Sequence, residues 1–276
     1  YNTPIPNVTL GARYEQTLAD PLINDPYQQG RVFLRWHKAY TTSLIYEDNA
    51  FVEVYFRGGD NFWPNPDVRD HRSPGVEVYR DIRAVGVWCH LNTYLPYWNP
   101  EKGYQFDASF EHGVDVDEAT YNRVWSQGSV VQKLPDGLGY FSETRLAGRL
   151  GGGIGSPDNG LQFQLGGPLR FRGQRSEDTE GSAFWVASAE WRFPLATRLD
   201  VPFYDNVANL RRLDAAVFYD VGESYFLSQS QGVDHAIGGG LYFNLALFSF
   251  LENLTLRVEY AHSLRRASNV AWVGNH

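Results

Sequence analysis

Apolar side chains recur at every second position along much of this chain, and this alternation constrains the fold more than any other feature. In the segment 183–193 every odd-numbered residue is apolar, whereas Ser188, Glu190 and Arg192 lie among the even-numbered ones. A period of two is typical of a β-strand with two different faces, and the 3.6-residue period of an amphipathic helix is almost absent. The sequence therefore predicts an all-β protein.

Turns rich in Gly, Pro, Asn and Asp delimit the alternating segments. No domain linker, low-complexity segment or repeat beyond the hairpin interrupts them, so residues 1–276 are predicted to form a single domain. The predicted strands lie near 7–16, 30–40, 42–48, 50–58, 75–83, 84–96, 103–114, 121–133, 139–151, 160–166, 182–194, 212–224, 236–249, 253–264 and 269–275.

A soluble β-sandwich shows the same alternation, so other properties must separate the two folds. Several segments exceed the roughly 5–6 residues of an average soluble strand and match the roughly 9–11 residues of a membrane-spanning strand. Their polar faces carry charged pairs, such as Glu190 with Arg192. Glu143 with Arg145 is predicted to be a second mid-strand pair. Together with aromatic residues near the strand ends, these features favour a transmembrane antiparallel β-barrel of 14–16 strands.

Composition removes several other classes of protein. The net charge is −8 and the basic residues are scattered, which argues against nucleic acid as a partner. No run of roughly 18 apolar residues is present, so transmembrane helices are excluded. The mean hydropathy of −0.40 is compatible with a barrel, because the side chains that face its lumen are polar.

Two clusters of potential metal ligands are interpreted as ordinary structure. The acidic stretch 111–118 lacks the spacing of a calcium loop and is predicted to be a solvated loop. Cys89 and His90 are adjacent on a strand and point to opposite faces, so they cannot hold one ion. Cys89 is predicted to face lipid, and no metal or other cofactor is expected.

The C-terminal half carries an ordered set of motifs, and it resembles the bacterial surface antigen family, the BamA- and TamA-like outer-membrane barrels. The resemblance covers roughly residues 135–276, and the periplasmic POTRA domains of that family are not part of this sequence. Gln174 stands where the family usually has an aromatic residue. In chain order, the motifs are Leu165-Gly166-Gly167, Phe171-Arg172-Gly173-Gln174, Glu190 followed by Pro194, and the Phe-x-Asp-x-Gly pattern of Phe218, Asp220 and Gly222.

The resemblance implies that a loop, 155–181, folds back into the barrel and carries the Arg-Gly motif. Glu190 and Asp220 fall on polar strand faces, and a buried carboxylate is costly unless it is paired. A guanidinium can meet two carboxylates at once, so Arg172 is predicted to enter the lumen and bridge Asp220 and Glu190. The alternative is that Arg172 is an ordinary exposed loop residue.

Three further residues complete this predicted loop-to-barrel lock. Gly173 is expected to let the loop backbone approach the barrel wall and to adopt a positive φ if needed. The resemblance adds Phe218 and Gly222, which flank Asp220 in the same strand motif.

The resemblance implies an integral outer-membrane protein that is not an enzyme and that acts in protein insertion or translocation. It implies the lipid bilayer as surroundings, with periplasmic domains, lipoproteins and client outer-membrane proteins as partners. Such barrels are thought to work through a weak seam between the first and last strands, and the short last segment near 269–274 suits that role. Three alternatives stay open: an anchoring barrel of a larger complex or a fused lipase-type protein, a pore for small solutes, and a hydrolase with residues spread across strands.

Overall fold

The computed structural model describes residues 7–17, 27–38, 50–59, 81–95, 100–115, 118–158, 163–166, 171–174, 180–197, 199, 201–203, 208–247, 251–265 and 269–275. These residues form fifteen strands, one short 3-10 helix and no α-helix, which confirms the all-β prediction. Within the same residues, no helix has the length and apolar character required to cross a membrane.

Most strands are long, as the alternation predicts, and three are short. The 3-10 helix, Gly139–Glu143, lies between β6 and β7. The strands are β1 (Val8–Thr17), β2 (Tyr27–Lys38), β3 (Ala50–Gly59), β4 (Ile82–Asn92), β5 (Lys102–Val114), β6 (Thr120–Lys133), β7 (Arg145–Ser156), β8 (Phe163–Gln164), β9 (Glu180–Gly181), β10 (Ala183–Ala196), β11 (Val201–Phe203), β12 (Ala208–Tyr225), β13 (Asp234–Leu247), β14 (Leu251–Ser263) and β15 (Asn269–Asn275).

Thirteen of these strands form one antiparallel sheet. Twelve follow each other in the order β1-β2-β3-β4-β5-β6-β7-β10-β12-β13-β14-β15. Neighbours in space are therefore neighbours along the chain except at β7–β10, where β8 and β9 intervene, and at β10–β12, where β11 intervenes. The short β11 pairs with β12 beyond the end of β10. The β7–β10 connection contains the separate two-stranded sheet of β8 and β9.

The predicted strands agree with most of these elements, and the exceptions are informative. The bounds of β15 match the prediction, and those of β5 and β6 differ by one residue. Segment 42–48 and residues 75–80 lie outside the described residues. The predicted break between strands 75–83 and 84–96 is wrong, because β4 runs from Ile82 to Asn92 without interruption. The prediction of a strand over 139–151 is wrong at its start, because residues 139–143 form the 3-10 helix. In the described residues, the sheet has thirteen strands rather than 14–16.

The mid-strand pair predicted between Glu143 and Arg145 is also wrong, because Glu143 lies in the 3-10 helix. Its carboxylate lies 3.4 Å from Lys133 Nζ and 3.7 Å from Arg212 Nη1. Arg145 Nη2 instead lies 3.5 Å from Glu101 Oε1. The predicted pair of Glu190 and Arg192 is present.

One face of the sheet is exposed and apolar over most of its width. Burial alternates residue by residue, and β3 shows this over its whole middle. The exposed apolar side chains include Val52, Val54, Phe56, Val85, Val87, Phe106, Phe110, Val124, Val130, Leu146, Leu150, Ile154, Trp191, Val217, Ile237, Leu241, Val258 and Tyr260.

The opposite face is buried and carries many charged groups. Its buried polar side chains include Glu53, Arg57, Glu111, Arg145, Glu190, Asp214, Asp220, Thr255 and Glu259. A sheet that packs on a hydrophobic core in water normally has the reverse arrangement, with its polar face toward solvent. The polarity of this sheet is therefore inverted, and the candidate site lies on the buried ionic face.

Candidate functional site

Part of the β7–β10 connection is buried against the ionic face. Phe171, Arg172, Gly173 and Gln174 are all buried, as are Phe163 and Leu165 earlier in the same connection. The apolar members of this segment pack against Phe184 and Val186 of β10 and Ala236 of β13. The connection therefore contributes its own small apolar core, which holds the Arg-Gly motif against the sheet.

Gly173 lies where a larger residue has no room. A Cβ atom at this position would collide with the Cβ of Ala236 and would lie 3.6 Å from the Cα of Ser263. The requirement for glycine comes from this close approach rather than from a positive φ. The expected contact of the loop backbone with the wall is present.

Arg172 makes a two-pronged contact with Asp220. Its Nε and Nη2 donate to Asp220 Oδ2 and Oδ1 at 2.9 and 2.8 Å, and its backbone N–H donates to Oδ2 at 3.1 Å. Asp220 has no exposed surface. Both carboxylate oxygens are thus satisfied by one residue of the connection, in the fork geometry that guanidinium favours.

The same guanidinium also reaches Glu190 on β10, the neighbouring strand. Arg172 Nη1 donates to Glu190 Oε2 at 2.5 Å. Arg192, two residues along β10, pairs with the other oxygen of Glu190. The structure thus brings Arg172, Glu190 and Asp220 together, and the arrangement does not match the alternative of an exposed loop arginine.

Phe218 and Gly222, the other two residues of the β12 motif, also contact this region. The Cζ atom of Arg172 lies 3.4 Å from the centre of the Phe218 ring, which adds a cation–π contact. A Cβ atom at Gly222 would lie 2.6 Å from the carbonyl oxygen of Trp185 and 3.3 Å from Leu165 Cδ2. Gly222 therefore leaves space for the neighbouring strand and for the inserted connection.

Sequence reasoning missed three members of the site. Ser188 Oγ accepts from Arg172 Nη2 at 2.9 Å and donates to Asp220 Oδ1 at 2.6 Å. Glu259 Oε1 lies 3.3 Å from Arg172 Nη1, and the Tyr242 hydroxyl donates to Glu259 Oε1 at 2.8 Å and lies 3.1 Å from Glu190 Oε1. Glu259 belongs to no motif, but its place on the polar face of β14 was a signal that could have identified it. We call Arg172, Ser188, Glu190, Asp220, Tyr242 and Glu259 the Arg172 network.

Gln174 is an unsatisfied polar residue beside this network. It has 0 % exposed surface, and neither its side-chain nitrogen nor its side-chain oxygen has a hydrogen-bond partner. Each unsatisfied buried polar group costs about 1–3 kcal/mol. The inserted segment is therefore strongly stabilised at Arg172 and destabilised two residues later.

Asp158 ties the start of the connection to a neighbouring turn. It accepts a hydrogen bond from Ser182 Oγ at 2.7 Å, from the Ser228 backbone N–H at 2.8 Å, and from the Leu227 backbone N–H. Desolvation alone would raise the pKa of Asp158, but these hydrogen bonds outweigh it and lower the pKa below its ordinary value of 3.8. The ionised carboxylate thus joins the β7–β10 and β12–β13 connections.

A second buried network, centred on Glu111, lies on the ionic face of β3, β5 and β6. Glu111 Oε2 and Oε1 accept from Arg57 Nε and Nη2, both at 2.8 Å. The hydroxyls of Tyr55 and Tyr121 each donate to Glu111 at 2.8 Å, and Arg123 Nη2 lies 3.2 Å away. We call Tyr55, Arg57, Glu111, Tyr121 and Arg123 the Glu111 network.

The Glu111 network corrects one prediction. The stretch 111–118 was expected to be a solvated loop, yet Glu111 lies in β5 with 1 % of its surface exposed. The acidic stretch contains the end of a strand, and one of its acids faces inward. Nearby, Glu53 is paired with both Arg31 and Arg35, the latter at 2.8 Å. Sequence reasoning found none of these N-terminal pairs.

Cys89 and His90, the second cluster of potential metal ligands, are arranged on β4 as the strand parity requires. His90 lies on the buried side of β4, where its Nδ1 is 2.7 Å from Asp107 Oδ1. Cys89 is half-buried, and it shares the opposite parity with the exposed Val85 and Val87. Among the residues that the structure describes, no three His, Cys, Asp or Glu side chains form a metal site.

No protein-family model matches this chain, and no curated protein gives a significant match to it.

Proposed function

We propose that the sheet closes into a transmembrane β-barrel of the bacterial outer membrane, with the Arg172 network inside the lumen. The observation that carries this proposal is the inverted polarity of the sheet. Large apolar side chains such as Leu150 and Phe56 are exposed, while Glu53, Asp220 and Glu259 are almost fully buried. Lipid is the surrounding that makes both halves of this pattern favourable.

Closure of the sheet is supported by the way in which its ionic face is buried. The described residues contain no α-helix or second large sheet that could bury it. Side chains from strands that are not neighbours meet on this face: Arg57 Nη2 of β3 donates to the Tyr121 hydroxyl of β6 at 3.3 Å. In a flat sheet those strands would be about 14 Å apart, at about 4.8 Å per strand. Such contacts across three strands support a sheet that curves around its charged face.

The exposed apolar band has the height expected for a bilayer. On the outer face of β5, Lys102 and His112 lie at the two ends of a row formed by Tyr104, Phe106, Ala108 and Phe110. In the register, Lys102 pairs with Gln132 of β6 and His112 pairs with Asn122. The polar ends are therefore ten residue steps apart on both strands. At about 3.4 Å per residue and a tilt of about 40°, this interval spans about 25 Å, the usual height of the lipid-facing band.

Within this class, we propose that the barrel promotes insertion of other outer-membrane proteins, as the motif resemblance implies. The end strands of the sheet support a labile seam. The pairing of β15 with β14 covers seven residues, whereas β1 pairs with β2 over ten. Among the twelve strands that follow one another in the sheet, β15 has the shortest pairing, so its separation breaks the fewest backbone hydrogen bonds.

The test is a reconstitution experiment. The purified chain in lipid vesicles should accelerate insertion of an unfolded outer-membrane barrel client, measured as acquisition of heat-modifiable migration over time. Vesicles containing an unrelated barrel are the control. Equal rates in both vesicle types would refute the insertion activity while leaving the membrane location intact.

A second candidate is an anchoring barrel in a larger envelope complex. The Glu111 network favours it, because a wall pinned by strand residues alone is a rigid support. Equal insertion rates in the experiment above, together with stable incorporation into vesicles, would select this function. Steady conductance in planar bilayers would instead indicate a solute pore, which disagrees with a lumen filled by buried side chains.

A further inference from the structure

The 3-10 helix between β6 and β7 has one polar and one apolar side. A 3-10 helix has three residues per turn, so residues three apart lie above one another. Tyr140 and Glu143 share the side with polar contacts to the sheet: the Tyr140 hydroxyl donates to the carbonyl oxygen of Pro194, although the side chain is 57 % exposed, and Glu143 lies 3.4 Å from Lys133 Nζ. Leu138 and Phe141 share another side.

That second side is apolar and open. Leu138 and Phe141 are each 52 % exposed. The third side carries Ser142, whose Oγ donates a hydrogen bond to the Gly139 carbonyl within the helix at 2.7 Å. The connection thus exposes Leu138 and Phe141, with the Phe141 ring in edge contact with the Tyr140 ring at 5.9 Å, although a turn in water would gain nothing from exposing large apolar side chains.

The apolar side continues the exposed band of the sheet beyond its edge. Leu146 of β7 is the register partner of Gln132, the residue that marks the end of the band on β6. At this edge Leu146 and Leu195 are both exposed on the outer surfaces of β7 and β10. On β5 the exposed apolar band ends at Lys102. At β7 and β10, apolar residues continue beyond the level of Lys102.

We propose that Leu138 and Phe141 lie in the headgroup–acyl boundary of the adjacent bilayer leaflet and anchor the β6–β7 connection there. This inference rests on the proposed membrane barrel. A short amphipathic segment with a polar side toward protein and an apolar side toward the boundary is held by burial of about 5–10 Å into the leaflet. The partner is thus the lipid surface, reached by a connection outside the membrane-spanning strands.

The experiment measures the surroundings of single labelled cysteines. In a Cys89→Ala background, an environment-sensitive fluorophore is attached at Phe141→Cys or, as a second test position, Leu138→Cys. Asp136→Cys, an exposed position on the same connection, is the aqueous control, and Leu150→Cys on the exposed face of β7 is the membrane control. Quenching in vesicles is compared for iodide in water and for lipids with a nitroxide at either end of the acyl chain.

The expected result is that positions 138 and 141 are quenched by the nitroxide near the headgroups, with iodide quenching several-fold weaker than at position 136. Iodide quenching as strong as at position 136, or protection from both quenchers, would overturn the inference. Position 150 distinguishes failure of the anchoring proposal from failure of the membrane-barrel proposal. Its quenching by the deep nitroxide supports the membrane barrel whatever position 141 does, and its failure to be quenched by either lipid would overturn both.

Discussion

The two buried networks have similar chemistry but different construction. In the Glu111 network all five members lie on strands β3, β5 and β6. In the Arg172 network the cation lies on the β7–β10 connection, while its acids Glu190, Asp220 and Glu259 lie on three separate strands. The first network can be broken only by separating strands, whereas the second can be broken by withdrawing a connection.

This difference teaches that one wall can be fixed in one region and releasable in another. If the Arg172 segment withdraws, Glu190 keeps its ion pair with Arg192 and Glu259 keeps Arg257 at 3.3 Å, so two of the three acids retain a cation on the sheet itself. The residues of the Glu111 network cannot withdraw in this way, because their backbone belongs to strands of the sheet. We therefore expect substitutions in the Glu111 network to cause the larger loss of stability.

The largest effect is expected from Glu111→Ala. It leaves Arg57 buried beside Arg123 without their shared carboxylate, and breaking a buried ion pair in this way costs about 3–5 kcal/mol. Thermal unfolding in lipid, followed by heat-modifiable migration, measures the change. Glu143→Ala is the control, since its half-exposed ion pairs should contribute about 0–1 kcal/mol. Equal stability of the two variants would contradict the role of the Glu111 network.

Arg172→Ala should cause a smaller loss, about 2–3 kcal/mol, because Glu190 keeps its ion pair with Arg192 and Glu259 keeps Arg257 as a partner. Arg172→Lys should fall between the wild type and Arg172→Ala, since lysine keeps the charge but lacks the planar fork. The same unfolding assay and the amount of assembled protein in membranes provide the measurement. Unchanged migration and unchanged membrane levels would count against the lock, and a loss greater than that of Glu111→Ala would reverse the comparison.

Gln174→Met should increase stability by about 1–2 kcal/mol, because it replaces an unsatisfied buried amide with an apolar side chain of similar size. Gln174→Glu, the matched control, should decrease stability by adding a buried charge. Both changes are measured by thermal unfolding. A destabilising methionine would show that the amide has a partner that favours the inserted segment.

The smallest effect concerns Asp158, which lies in the β7–β10 connection. Its folded pKa is depressed, so its contribution to stability is complete above the ordinary value of 3.8 and is lost as the pH falls through the lower folded pKa. Hydrogen exchange of the Leu227 and Ser228 amides should accelerate on such acidification. Asp158→Asn should show fast exchange already at neutral pH, whereas Asp136→Asn should not; pH-independent exchange in the wild type would refute this link.

The sequence predicted the strands well because the alternation is local. The parity of β10 and β12 assigned Glu190 and Asp220 to the same side of the wall, and the structure has both in contact with Arg172. The 3-10 helix at 139–143 was mistaken for strand because its apolar residues at 138, 140 and 141 also suit a strand. Its exposed side is a property of the connection, which a two-residue period cannot reveal.

The rest of the site depends on contacts across the sheet. Glu259 is 87 residues from Arg172, and no local pattern records that distance. The Glu111 network needs the register that brings Arg57 and Tyr121 from strands β3 and β6 to one carboxylate. Each residue could be assigned to a face from the sequence, but their meeting depends on the order and register of the strands that carry them.

The central claim is that the Arg172 side chain holds its connection against the wall through Asp220. A double-mutant cycle tests it most directly, with Arg172→Ala, Asp220→Ala and the combined variant compared with the wild type by thermal unfolding in lipid. We predict a coupling energy of about 2–3 kcal/mol, so that the combined loss is clearly smaller than the sum of the single losses. Losses that add to within about 0.5 kcal/mol would contradict the claim.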